Sequence, residues 1–188
     1  RSRGLGDVYK RQVCASTIWL WIFDPTAGVL NQTLRSLGLG TYDWLKDPNM
    51  AMGCVVFVSV WKNMGYCMLI YLSGLKGIPA YLYEAAEIDG ARRMQRFWYI
   101  TLPMLQPTIF FLFITSCISS FNVFEQVNVL TNGGPLNTTT TIVHQIYLRG
   151  FTQFKMGYAS AMSVVLLLIV CLITLINFRF GNQGQDTD

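Results

Sequence analysis

Charge is what this sequence has least of. Only 13% of its 188 residues are Asp, Glu, Lys or Arg, where a soluble domain carries about a quarter. Too few are left to build a water-facing surface. Histidine is nearly absent as well: His144 is the only one. It lies in a connection between apolar runs and reads as a surface or interfacial residue. There is no His-Glu-x-x-His, no P-loop and no G-x-G-x-x-G, and Gly38-Leu39-Gly40 lacks the rest of that fingerprint. Metalloprotease chemistry, nucleotide hydrolysis by this chain and dinucleotide binding are therefore not expected, and an intramembrane enzyme would lack its nucleophile–base pair. Cys14, Cys54, Cys67, Cys117 and Cys171 form no C-x-x-C pair and lie in or beside apolar runs. There they act as small hydrophobes, not as a disulfide framework or a metal site. Of the net charge of +4, +3 falls in the first twelve residues, so no basic face is left for nucleic acid.

Those twelve residues, Arg1 to Gln12, differ in composition from the rest of the chain, and there is no initiating Met or signal-peptide pattern. They read as a non-native scar on an incomplete gene fragment, with a genuine basic stretch as the alternative. Residues 181–188 form a polar tail.

What the chain has instead is long apolar runs. Three of them, 52–73, 104–125 and 157–178, reach the roughly 20 residues that a membrane-crossing helix needs. A shorter one, 13–23, ends at Asp24-Pro25 and reads as the surviving end of a further span. The fold class expected is an all-α membrane protein. The connection 74–103 carries Lys76, Arg92, Arg93 and Arg96, more than its neighbours, so the positive-inside rule places it in the cytosol. Outside, Thr131-Asn132-Gly133-Gly134-Pro135 is a turn signal, and Leu30, Leu34 and Leu37 suggest a turn or two of interfacial helix. Asn31-Gln32-Thr33 and Asn137-Thr138-Thr139 match glycosylation sequons, more simply read as chance.

The connection 74–103 is the most specific segment. Pro79 suits a helix start, Ala80 to Asp89 favours helix, and Gly90 stands where a left-handed residue ends one. A second short helix is expected over 91–100, with Pro103 opening the next span. The small Ala85-Ala86 pair leaves one side of the first helix open to close approach, while Glu84, Glu87 and Asp89 stay wet or meet cations.

Two features inside the spans are candidates for a solute path. Lys62, beside Asn63, lies mid-run, where a lysine costs about 2.5–3.5 kcal/mol on insertion scales. It should face the bundle interior, either lining a path or pairing with a carboxylate or carbonyl. Ser119, Asn122 and Gln126, with Glu125 nearby, give the second run a polar outer half and share a face at helical spacing. Interhelical hydrogen bonding is the alternative role for them.

The pattern Glu84-Ala85-Ala86, Gly90, Ile100, Leu102 and Pro103 fills seven fixed positions over twenty residues. On those residues the chain resembles the permease subunits of binding-protein-dependent ABC carbohydrate importers of the maltose, multiple-sugar and glycerol-3-phosphate type. Tyr42 to Leu45, Phe121 to Gln126 and Met156 to Ala159 also look like that family, over residues 13–180. The resemblance implies a type I importer transmembrane domain with about three and a half of six spans present. It implies Glu84, Ala85, Ala86, Asp89, Gly90, Ile100, Leu102 and Pro103 as the contact to an ATPase. Implied partners are a cytosolic ATPase dimer holding ATP–Mg, a second permease, an extracytoplasmic solute-binding protein, a small carbohydrate and membrane lipid. No cofactor is expected on this chain itself. An ion-coupled secondary transporter and a membrane scaffold are the alternatives.

Overall fold

The computed structural model describes the backbone of residues 3–181 and the side chains of residues 13–179. The tail beyond Gly181 lies outside the described residues, as do Arg1 and Ser2 of the opening segment; residues 3–12 are described as helical backbone alone.

Every regular element among the described residues is helical. The long helices are α1 (Arg3–Ile22), α3 (Ala51–Lys76), α6 (Leu102–Phe121) and α9 (Met156–Gly181); the short ones are α2 (Val29–Ser36), α4 (Ala80–Ile88), α5 (Arg93–Arg96), α7 (Glu125–Leu130) and α8 (Ile142–Tyr147). Three stretches are long and apolar enough to cross a membrane: Ala51–Lys76, Arg93–Phe121 and Met156–Arg179. Their surfaces expose Phe57, Leu69, Phe113, Leu167 and Leu175. Apolar area on this scale is stable only against lipid or another protein.

The second span begins earlier than expected and ends earlier too. Residues 91–100 do not form a separate helix. α5 passes through a π-helical turn, Phe97–Thr101, directly into α6. Pro103, which has no N–H to donate, follows that turn at the second position of α6. The π turn sends the Leu102 N–H five residues back to the Phe97 carbonyl, so the helix reaches the proline without breaking. At the far end the helix stops at Phe121, and α7 starts afresh at Glu125. The span 104–125 is thus shortened, and the shared face proposed for Ser119, Asn122 and Gln126 does not exist as one helix face. The Thr141 hydroxyl donates to the Val123 carbonyl at 2.8 Å, capturing an acceptor that helix continuation would need.

The chain forms two compact units, residues 1–62 with 120–171, and residues 63–119 with 172–188. The first has a core of Phe23, Cys54, Val55, Val58, Val127 and Leu130. Trp19 packs edge-on against Phe57 and Trp61, with ring centroids 5.2 and 5.4 Å away. Asn31 ties its connecting loop together. The fully buried side chain donates to the Pro25 and Tyr42 carbonyls at 3.1 and 2.9 Å, and accepts from Tyr42 N and Trp44 Nε1 at 3.2 and 3.0 Å. With every polar valence used, Asn31 is a structural clamp and no sequon acceptor.

In the same unit the turn signal takes its expected form: Asn132 and Gly133 have φ of 49° and 81°. His144 departs from expectation. It is fully buried, with neither ring nitrogen bonded among the described residues. A methyl at Gly133 would come within 2.8 Å of its Cε1, so close ring–backbone packing takes the place of the interfacial role. Burial holds the imidazole below its ordinary pKa by disfavouring the charged form.

In the second unit Gly74 lets α3 approach α6 closely. A Cβ there would stand 2.8 Å from Thr108 Oγ1 and 3.0 Å from Leu105 Cδ2. Phe110 and Phe178 meet edge-to-face at 6.2 Å.

Candidate functional site: a tethered signature helix and the Lys62–Glu125 pair

The signature helix α4 follows Pro79, whose extended backbone (φ −61°, ψ 132°) stands one position before the first helical residue. It ends in a Schellman motif. Gly90 has φ of +75°, its N–H reaches the Glu87 carbonyl at 3.0 Å, and the Ala91 N–H reaches the Ala86 carbonyl at 2.9 Å. Both ends are therefore set by single residues whose backbone preferences match the geometry.

Around this helix Glu84, Ala85, Glu87, Ile88, Asp89 and Gly90 are exposed and Ala86 is half-buried. Ile88 is 87% exposed, an isolated apolar side chain amid carboxylates. Ile100 and Leu102 are half-buried and Pro103 is exposed on the continuous α5–α6 helix. The two halves of the signature are joined by two contacts. Tyr83 OH meets Thr101 Oγ1 at 2.9 Å, and Arg96 donates to Glu87 at 3.2 Å. With Glu87 largely exposed, the ion pair contributes little by itself. The Tyr83–Thr101 bond is better placed, because Thr101 is buried. Sequence reasoning alone misses Tyr83 and Thr101. Thr101 occupies the variable position between Ile100 and Leu102, and its flanking by two signature residues is the only hint.

The solute-path candidates divide. Lys62 Nζ stands 3.4 Å from Glu125 Oε2, each side chain 22% exposed. Asn122 is exposed and Gln126 buried at the start of α7. Asn63 and Ser119, both exposed, belong to the other compact unit. The break between α6 and α7 is what brings Glu125 to Lys62. A third feature has no signal in the sequence: a cleft of 520 Å³ lined by Phe23, Asp24, Trp44, Lys46, Thr131 and Pro135. Asp24 is occupied there, accepting from Thr26 N, Thr26 Oγ1 and Ala27 N through one oxygen. These hydrogen bonds, the one from Ala27 foremost, hold its carboxyl below the usual range.

Three membrane-length helices, with a short helix tethered to the start of the second of them, define a membrane-spanning subunit. Residues 14–182 match the sequence profile of the family described as the binding-protein-dependent transport system inner membrane component, and the chain belongs to that family. Membership disfavours the ion-coupled and scaffold alternatives.

The chain is 42% identical over 167 residues to the sn-glycerol-3-phosphate transport system permease protein UgpA of Brucella abortus biovar 1 (strain 9-941), covering 88% of this chain and 57% of that protein. It is 38% identical over 169 residues to the UgpA of Escherichia coli O6:K15:H31 (strain 536 / UPEC), covering 88% and 56%. It thus spans a little over half the length of these curated relatives, which are named as permease proteins and not as enzymes. Among solved structures, a bacterial ABC transporter involved in the import of the acidic polysaccharide alginate superposes with a TM-score of 0.84 at 25% identity, over 97% of this chain and 68% of that one. A bacterial alginate ABC transporter in complex with an alginate pentasaccharide-bound periplasmic protein gives 0.85 at 27%, over 94% and 62%.

Proposed function

We propose that this chain is part of the membrane-spanning permease of an ATP-driven importer for a small carbohydrate. Residues 74–103 would face the cytosol, and α4 would seat in a separate ATPase subunit that binds ATP–Mg and hydrolyses it. A second permease and an extracytoplasmic solute-binding protein would complete the assembly. The likeness to the sn-glycerol-3-phosphate permeases favours a phosphorylated polyol as the solute.

The observation that carries the reading is the tethered helix. An exposed surface of Glu84, Ala85, Asp89 and Gly90 is tied to the π turn that leads into α6 by the partly buried Tyr83–Thr101 bond. A displacement of α4 by an ATPase would then pass into the span instead of being absorbed by a loose loop. Ala85 and Ala86 let a partner backbone approach closely, and Glu84 and Asp89 offer acceptors to its donors. The path role of Lys62, Asn63, Ser119, Asn122, Glu125 and Gln126 belongs to the same proposal.

Co-purification of the ATPase from membranes, with the full-length permease, tests it. Glu84→Lys and Gly90→Pro should each lose the ATPase while membrane insertion persists. Retention of the ATPase by both variants would refute the coupling role.

A further inference from the structure

We propose that Lys62 and Glu125 form a counter-ion exchange site, in which an oxyanion of the passing solute takes the place of Glu125 on the Lys62 ammonium. The inference rests on the importer reading with its phosphorylated solute and adds to it the residue that reads the solute's charge.

Lys62 is the twelfth of the 26 residues of α3, so it stands within about 2–3 Å of the helix midpoint at 1.5 Å per residue. No other Lys or Arg lies inside the three candidate spans away from their ends. A lone cation at that depth needs a counter-charge, and Glu125 supplies it.

The pair is nonetheless loosely made. Its 3.4 Å separation exceeds the 2.7–2.9 Å typical of charge-assisted hydrogen bonds. Of the three ammonium donors, one is engaged among the described residues. Both side chains keep 22% exposure.

The surrounding backbone argues for water here. The helix is interrupted from Asn122 to Phe124, next to this pair. Irregular backbone at membrane depth is tolerated only where protein buries it or where it lines a water-filled cavity. Asn122 is exposed, as a residue lining such a cavity would be. A phosphate or carboxylate entering it would meet one cation with two open donors, held by a neutralising partner that can be displaced. A neutral sugar would leave the Lys62–Glu125 pair closed.

A structural ion pair and an anion reader predict opposite orders for two variants. The assay is uptake of radiolabelled sn-glycerol-3-phosphate into proteoliposomes holding the complete importer, with the full-length permease, its second permease, the ATPase and the binding protein. Lys62→Met/Glu125→Gln buries no unpaired charge, so it assembles; recovery of the complex and its ATP turnover check this. Its uptake should fall about 10- to 100-fold, the loss expected for one hydrogen bond to a charged group. Glu125→Gln alone keeps the cation and, per assembled complex recovered, should import at least about tenfold faster than the double variant.

If the pair is structural, the order reverses. Glu125→Gln then leaves Lys62 unpaired and is the worse of the two, while the double variant imports like the wild type. That result overturns the proposal. A wild-type complex that imports no sn-glycerol-3-phosphate fails earlier, at the substrate reading, and takes the exchange site with it.

Discussion

Gly90 offers the sharpest test of how the signature turn works, because two explanations of a glycine there can be separated. One is backbone: the residue sits at φ +75°, a region that costs an L-residue about 1–2 kcal/mol. The other is contact: the absence of a side chain lets the ATPase approach. A Cβ built on Gly90 has no atom of this chain within 4 Å, so no clash within the subunit confuses the comparison. Gly90→Ala should therefore lose about 1–2 kcal/mol from the Schellman turn alone, a roughly 5- to 30-fold fall in the ratio of native to non-native loop. Asn tolerates the left-handed region better, so Gly90→Asn should lose less although its side chain is larger. The measurement is transport-coupled ATP turnover of the reconstituted complex, with ATPase co-purification as the control for docking. Asn retaining more coupling than Ala supports the backbone account. Asn at or below Ala would refute it and assign Gly90 to the contact surface.

Two further predictions concern the other compact unit. Asn31→Ala deletes four hydrogen bonds at a fully buried site and leaves the Tyr42 N–H and the Pro25 carbonyl unpaired. A loss of about 2–4 kcal/mol is expected, read as a lowered melting temperature of the purified permease in detergent; an unchanged melt would show that the clamp is not needed. His144 has its pKa lowered by burial, so the unfolded chain binds a proton that the folded one refuses. Stability is then complete above about 6.5, the unfolded value, and falls as the pH drops from there toward the lowered folded value. His144→Phe should remove that acid-side loss, and a melt of the wild type that is flat between neutral pH and about pH 5 would contradict the assignment.

What is legible in the sequence is local. Pro79 and Gly90 announce the ends of α4 because each restricts or frees its own φ, whatever surrounds it. Asn132-Gly133 announces a turn for the same reason, and the apolar runs announce spans because length and composition are enough. The seven-position signature is readable as a pattern, yet its mechanical link is not. Tyr83 and Thr101 are ordinary residues whose pairing depends on α5 running on into α6, which in turn depends on a π turn that carries no residue code of its own.

The departures from expectation have a common physical origin: the partner that decides each residue's role is distant in sequence. Ser119, Asn122 and Gln126 have a helical spacing, but a hydroxyl at Thr141 takes the Val123 carbonyl and the helix ends. Asn31, whose sequon reads as chance, gains its clamping role only when four backbone and indole groups converge on it. His144 looks interfacial until Gly133, eleven residues earlier, admits its ring. Lys62 shows the same dependence at its extreme. Its position alone demands a counter-charge or a path, and sequence cannot choose between them. The structure supplies Glu125, 63 positions away, at a separation too long for a tight ion pair. Under the exchange-site proposal the two roles are one, since the counter-ion would neutralise the lysine at rest and yield it to an oxyanion in transit.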